Sequence, residues 1–150
     1  MSEAQQFALE VQAPFSQYIA TGRKTIETRS YPLPDELLKR PILLCESSHG
    51  VAMVSNIKGD VVLRGQEGLH IIGVITVNKC EEYKSFEEWE QDREQHMVPP
   101  SSLYDWSPTP TGRRWGWFIE AVENYEQPKP VPGMKRSFRS LFECVSADGR

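Results

Sequence analysis

The chain is poor in cysteine and lacks long apolar runs, and each shortage removes a class of protein. Cys45, Cys80 and Cys144 are three, widely spaced and without any CxxC pair, which excludes a disulfide framework and a structural zinc site. No apolar stretch approaches the roughly 20 residues of a membrane-spanning helix. The opening MSEAQQFALE has neither the basic nor the apolar stretch of a secretory leader, so the expected address is intracellular, cytoplasmic or nuclear. There is no internal repeat and no interdomain linker, and 150 residues suit one domain. The expectation is a single unit over 1–150 with its core in about 6–145. With 39% hydrophobic and 25% charged residues the chain is neither disordered nor a coiled coil.

An excess of positive charge is also missing. The formal net charge is −4, which at first sight argues against a polyanionic partner. Between Cys80 and Gln95, however, seven acids stand against two bases, a local −5, and the remainder holds 14 acids and 15 bases, +1. The acidity therefore belongs to one segment, and an anion-binding surface elsewhere stays open.

Phe7, Leu9 and Val11 alternate with polar or small neighbours as in a half-buried strand. Pro14 suits the first turn of a helix whose apolar face is Phe15, Tyr18 and Ile19 and whose stop is Gly22. The β-branched stretch KTIETRS predicts a strand ended by Pro32 and Pro34, followed by a short helix over Asp35–Arg40 and a buried strand over Pro41–Glu46. Ser47 to Gly68, with four glycines, reads as a long loop holding a short helix or strand. HIIGVITV, from His70 to Val77, reads as the central strand. Ser85 with Glu88 three residues later forms a capping box, which predicts a surface helix over Ser85–Gln95. Val98 to Gly112 reads as a long proline-rich loop, and Arg114 to Glu120 as a strand with Trp115 and Trp117 in the core. Pro128, Pro130 and Pro132 suggest a rigid approach to a closing segment, Ser137–Val145, of helical spacing or mixed turn and strand. The order of elements does not alternate as in a doubly wound sheet. The expected class is α+β, a small mixed β-barrel of five or six strands with short peripheral helices.

The chemistry concentrates in Gly22-Arg23-Lys24-Thr25-Ile26-Glu27-Thr28-Arg29, where a helix stops and a strand begins. Strict alternation puts Thr25, Glu27 and Arg29 on one face, so Lys24 can join Glu27 only by standing on the turn before the strand. A desolvated lysine beside Arg23 and Arg29 could act as a base or nucleophile, with Glu27 as proton shuttle. A Glu27 carboxylate in contact would instead hold Lys24 as a cation, which ranks binding above catalysis. Ser47 and Ser48, directly after an apolar strand and followed by His49 and Gly50, could present backbone N–H groups to a phosphate. Tyr104 and Trp106 in the long loop suit base stacking, worth roughly 1–3 kcal/mol per base, with Trp106 the candidate. Arg113, Arg114, Lys135, Arg136 and Arg139 could extend a nucleic-acid track. Cys45, inside an apolar run, reads as a core residue, and His70 and His96 lack metal-ligand spacing. No metal and no cofactor are expected.

The run from Pro14 to Ser30, P-F-x-x-x-I-x-x-G-x-K-T-I-E-x-R-S, resembles the signature of the ASCH domain, the activating-signal-cointegrator homology domain of the PUA-like superfamily. ILLCESSHG, GVITV and RRWGWFIE resemble further strands of that family. Family members commonly carry glutamine directly before the proline, where this chain has Ala13 and places Gln12 one residue earlier. The resemblance implies a PUA-like pseudo-barrel with a cleft that accepts single-stranded RNA, a nucleotide or a modified nucleobase. Some members look like amidohydrolases of N4-acetylcytidine that use the motif lysine, a threonine three residues later and a downstream glutamate. Lys24 matches the lysine, Glu27 stands at the threonine position, and Glu94 is the best-spaced downstream acid. Three readings follow: a nucleic-acid or nucleotide binder using Lys24, Thr25, Glu27, Arg23, Arg29, Ser47, Ser48 and Trp106; an amidohydrolase with Lys24, Thr25 and Glu27 as catalytic groups; and a protein-interaction module of the transcription-coactivator kind.

Overall fold

The computed structural model describes residues 5–48, 60–106 and 112–145. Its strands are β1 (Phe7–Gln12), β2 (Ile26–Arg29), β3 (Pro41–Ser47), β4 (Val61–Val62), β5 (Leu69–Glu82), β6 (Trp115–Pro130), β7 (Met134–Phe138) and β8 (Leu141–Cys144). The helices are short: α1 (Phe15–Ala20), a 3-10 turn at Asp35–Leu37, α2 (Phe86–Gln91) and α3 (Arg93–His96). None of these helices is long and apolar enough to cross a membrane.

All eight strands join one mixed sheet in the order β2-β6-β5-β3-β1-β8-β7-β4, with β1 and β3 parallel and the other pairs antiparallel. Among the described residues the expected five or six strands are therefore eight. Among the described residues the expected closure into a barrel is not made, because β2 and β4 are the two ends of the order. The sheet nevertheless curls. β2 and β1 are four steps apart, about 19 Å if flat at ~4.8 Å per step, yet the Arg29 side chain on β2 donates to the Glu10 carbonyl of β1 at 2.8 Å. Register shifts along β5 and β6 supply the bending. At one of them sits Gly73, where an added Cβ would come closer to the Glu123 carbonyl than any real Cβ approaches.

Alternation explains how β1 and β3 carry two cores. Leu9, Val11, Ile42 and Leu44 face one cluster with Ile19, Ile75, Val77 and Trp117. Ala8, Leu43 and Cys45 face the opposite one with Leu69, Ile71, Met134 and Phe142. Both faces of these strands are buried, as their continuous apolar runs require. A third cluster, Tyr83, Trp89 and Val98, lies under the α2–α3 region.

Several elements differ from expectation for local reasons. The Ser85 cap forms, its hydroxyl accepting from the Glu88 N–H at 3.2 Å. The helix beyond it breaks at Asp92, which lies between α2 and α3. The expected Asp35–Arg40 helix shrinks to the 3-10 turn. β5 and β6 run well past their apolar centres, and Pro128 and Pro130 lie within β6 rather than in an approach segment. They are tolerated because β2 pairs with β6 only over Trp115–Phe118, leaving one edge of the outer half open for residues without an N–H. The closing segment is the β7–β8 hairpin, with Arg139 at positive φ in its turn. Pro108 and Pro110 of the long loop, and His49, Gly50 and Gly59, lie outside the described residues.

Candidate binding cleft

α1 ends where Gly22, at φ +80, donates to the Ile19 carbonyl at 3.0 Å. The chain reverses, and the Lys24 N–H returns to the Tyr18 carbonyl at 2.9 Å. Lys24 thus stands on the turn before β2, the position that lets its ammonium meet Glu27. Its Nζ donates to the His96 carbonyl and lies 3.7 Å from Glu27 Oε1. Glu27 Oε2 accepts from Arg29 Nε at 2.8 Å. Lys24 and Glu27 are only 2% and 6% exposed, so a buried lysine–carboxylate–arginine chain forms the floor of the site.

Burial pushes the Lys24 ammonium below the ordinary lysine range, Glu27 pulls it back up, and Arg29 adds to the lowering. His96, which supplies the carbonyl under Lys24, is fully buried, and burial lowers its imidazole to about 4. Its Nδ1 accepts from the Val98 N–H at 3.0 Å, so Nε2 bears the proton directed at the Trp89 carbonyl, also at 3.0 Å. A neutral, single-tautomer histidine therefore fixes the strut on which Lys24 rests.

Above this floor opens a cleft of about 390 Å³. Phe15, Tyr31 and Tyr104 form its aromatic walls, and Arg114 stands among its lining residues. Tyr104 meets Phe15 edge to face, ring centres 6.3 Å apart. The loop carrying Tyr104 is pinned by Asp105, whose carboxylate accepts from Trp89 Nε1 at 2.8 Å, Arg93 at 2.9 Å and the Ser101 N–H at 2.7 Å. These donors hold that carboxyl well below the usual range although burial opposes them. Arg29 lies 5.8 Å from the Trp117 ring centre, and Trp117 donates to the Tyr31 carbonyl at 3.1 Å, so the Tyr31 wall is braced from the core.

The ASCH-domain family model matches residues 9–131 of the 150. The chain belongs to the ASCH-domain family. Among solved structures, ASCH from Zymomonas mobilis is 12% identical with a TM-score of 0.56, covering 96% of this chain and 90% of that one. Two point variants of that protein are each 15% identical, with TM-scores of 0.52 and 0.53; they cover 85% and 87% of this chain and 76% of their own. At such identities the likeness is one of fold. No curated protein matches the chain.

In this ASCH domain the cleft gathers Lys24, Glu27, Arg29, Tyr104 and Arg114 and leaves Arg23, Thr25, Ser47, Ser48, Glu94 and Trp106 outside its lining. Thr25 is exposed, its N–H given to the Gln95 carbonyl and its own carbonyl accepting from Ile119. Arg23 is exposed and lies 4.7 Å over the Tyr18 ring. Ser47 is fully buried near the Glu10 carboxyl, and Ser48 donates to the Gly68 carbonyl at 3.2 Å. Trp106 packs toward Trp89, ring centres 6.2 Å apart, while its loop neighbour Tyr104 faces the cleft. Glu94 is exposed and does not line the cleft. The basic residues also separate: Arg113 forks onto Glu82 at 2.8 and 3.0 Å, Arg136 reaches Asp60, Arg139 stacks on Tyr31, and Arg114 alone of this group lines the cleft. Phe15 and Tyr31 give no polar signal in sequence that would separate them from core aromatics. Glu10 was hidden by the alternation of β1, which sets it on the polar face that the second core covers.

Proposed function

We propose that this ASCH domain binds RNA, a nucleotide or a modified nucleobase in the cleft, with Lys24, Glu27 and Arg29 as its polar floor. The buried Lys24–Glu27–Arg29 chain beneath aromatic walls carries this reading. The Glu27 carboxylate, held at both oxygens by cations, keeps lone pairs that can accept from an exocyclic amine. The aromatic walls offer faces or edges to a planar ring. A volume of about 390 Å³ sits at the small end of the ~300–1,000 Å³ range of small-molecule sites, which suits one nucleotide or one flipped-out base better than a long strand. The overall charge of −4 agrees, since it disfavours sequence-blind binding to long polyanions.

The test is titration of ribonucleosides, ribonucleotides and short single-stranded RNAs and DNAs against tryptophan fluorescence at two salt concentrations. Lys24→Met keeps the volume and removes the charge; with folding verified by circular dichroism, it weakens binding at least about tenfold, 1.4 kcal/mol. A ligand response identical in the variant, or no response in the wild type, refutes the reading.

The lowered Lys24 favours a second reading, hydrolysis of an N4-acylated cytidine. A neutral Lys24 would take the proton of the attacking water and hand it through the Glu27 carboxylate to N4 as the acyl C–N bond breaks, giving the free carboxylic acid and cytidine. The threonine of the family's amidohydrolases is replaced here by Glu27, and Thr25 does not line the cleft. N4-acetylcytidine turnover that vanishes in Lys24→Met supports this second reading; absence of turnover by the folded protein removes it.

A further inference from the structure

The lining of the cleft is out of balance. It contains the cations Lys24, Arg29 and Arg114 against the single carboxylate of Glu27, in a chain whose net charge is −4. Glu27 is engaged by Lys24 and Arg29, so Arg114 is the lining cation without a carboxylate beside it among the described residues. Its neighbour Arg113 shows the contrast, its Nε and one terminal nitrogen paired with the Glu82 carboxylate.

The bonds Arg114 does make are all to backbone carbonyls: Nε to Tyr104 at 3.3 Å, one terminal nitrogen to Arg113 at 3.0 Å, the other to Asp105 at 3.1 Å. Carbonyl acceptors orient a guanidinium without neutralising it. Of five N–H donors three are used, leaving one on each terminal nitrogen, a fork suited to two oxygens of one anionic group. The same bonds tie Arg114 to the backbone of Tyr104, so the cation and an aromatic wall of the cleft are held as one unit.

We infer that Arg114 is a phosphate-binding residue, and that the cleft selects phosphorylated nucleotides over nucleosides, with the base against Tyr104 and Phe15 above Glu27 and the phosphate at Arg114. This rests on the nucleotide reading of the cleft and adds a subsite to it. Either a terminal phosphomonoester or an internal phosphodiester supplies the required chemistry.

The test compares affinities of the four ribonucleosides, their 5′-monophosphates and tetraribonucleotides lacking terminal phosphate, for the wild type, Arg114→Gln and Arg114→Lys, at low and moderate salt. The wild type binds the preferred monophosphate or tetranucleotide about tenfold or more tightly than the nucleoside, and the excess shrinks with salt. In Arg114→Gln that ratio falls to about one, and Arg114→Lys, a point charge without the fork, retains part of it. Which arm shows the effect tells monoester from diester. If nucleoside and phosphorylated ligands bind equally well to the wild type, or if Arg114→Gln lowers all affinities by one common factor, the subsite is refuted while the cleft reading stands. If none binds the wild type, both fall together.

Discussion

Glu10 sets a measurable pH dependence on this fold. Its side chain is 1% exposed on the second core's face of β1, and neither carboxylate oxygen has a hydrogen-bond donor among the described residues. Burial raises its carboxyl to about 7, while the nearby Ser47 hydroxyl and the charges of Arg29 and Arg136 offset part of the cost. The folded value lies above the 4.5 of an ordinary glutamate, so the folded state holds this proton more tightly than the unfolded chain. The stabilising contribution is complete below about pH 4.5 and is lost as pH rises through about 7. A gap of about 2.5 pH units at 1.36 kcal/mol each makes the total loss about 3 kcal/mol. Glu10→Gln removes the titration and keeps the shape. In urea unfolding at pH 5, 6, 7 and 8, the variant therefore gains on the wild type by about 2–3 kcal/mol from pH 5 to pH 8, a midpoint shift of roughly 1 M or more. His96 acts with the opposite sign. Its folded value of about 4 is below the 6.5 of a free histidine, so its contribution is present above about pH 6.5 and is lost as pH falls. Both proteins share it, and it cancels in their difference. A difference that stays constant within about 0.5 kcal/mol over this range refutes the assignment of a strained, buried carboxyl to Glu10.

Other perturbations test the cleft floor, the bend of the sheet and the α2 cap. Glu27→Gln strands the charges of Lys24 and Arg29 in the interior, at an expected cost of about 3 kcal/mol, read as a fall of roughly 10 °C in melting temperature; an unchanged melting point shows that water reaches both cations. Gly73→Ala drives a Cβ into the Glu123 carbonyl and should cost about 2 kcal/mol or more, while wild-type stability would mean that the β5–β6 irregularity opens freely. Ser85→Ala deletes the acceptor of the Glu88 N–H and should cost about 1 kcal/mol, with faster amide exchange at Glu88 as its local signature; equal exchange rates would show that water replaces the cap.

What could be read from the chain alone follows the range of the interactions involved. α1, its glycine stop, β1, β3 and the Ser85 cap are written in neighbours a few residues apart, and all are where the pattern puts them. The outer halves of β5 and β6 carry exposed side chains and are strands because they pair with each other, a long-range fact without local periodicity. Phe138, Leu141 and Phe142 mimic helical spacing, but Arg139 at φ 58 turns the chain between them. In the site, Lys24, Glu27 and Arg29 stood out as a polar cluster at the entry to and along a strand that also meets the core. Ser47 failed to reach the cleft because alternation places it on the face of Leu43 and Cys45. Tyr104 and Arg114 are remote in sequence from Lys24, and only the fold brings all three to the lining of one cleft.

The backbone and side chain of Lys24 have a consequence for descent. Its N–H is bound to Tyr18 of α1, its ammonium to the residue ending α3, and the next N–H to Gln95 of the same helix. Two helices are thus stitched to the entry of β2 through Lys24, which also lines the cleft, and its neighbour Thr25. Selection for a stable chain alone would retain this signature whatever the cleft holds. The motif is therefore architecture first, whereas Tyr104 and Arg114 at the remote rim take no part in that stitching.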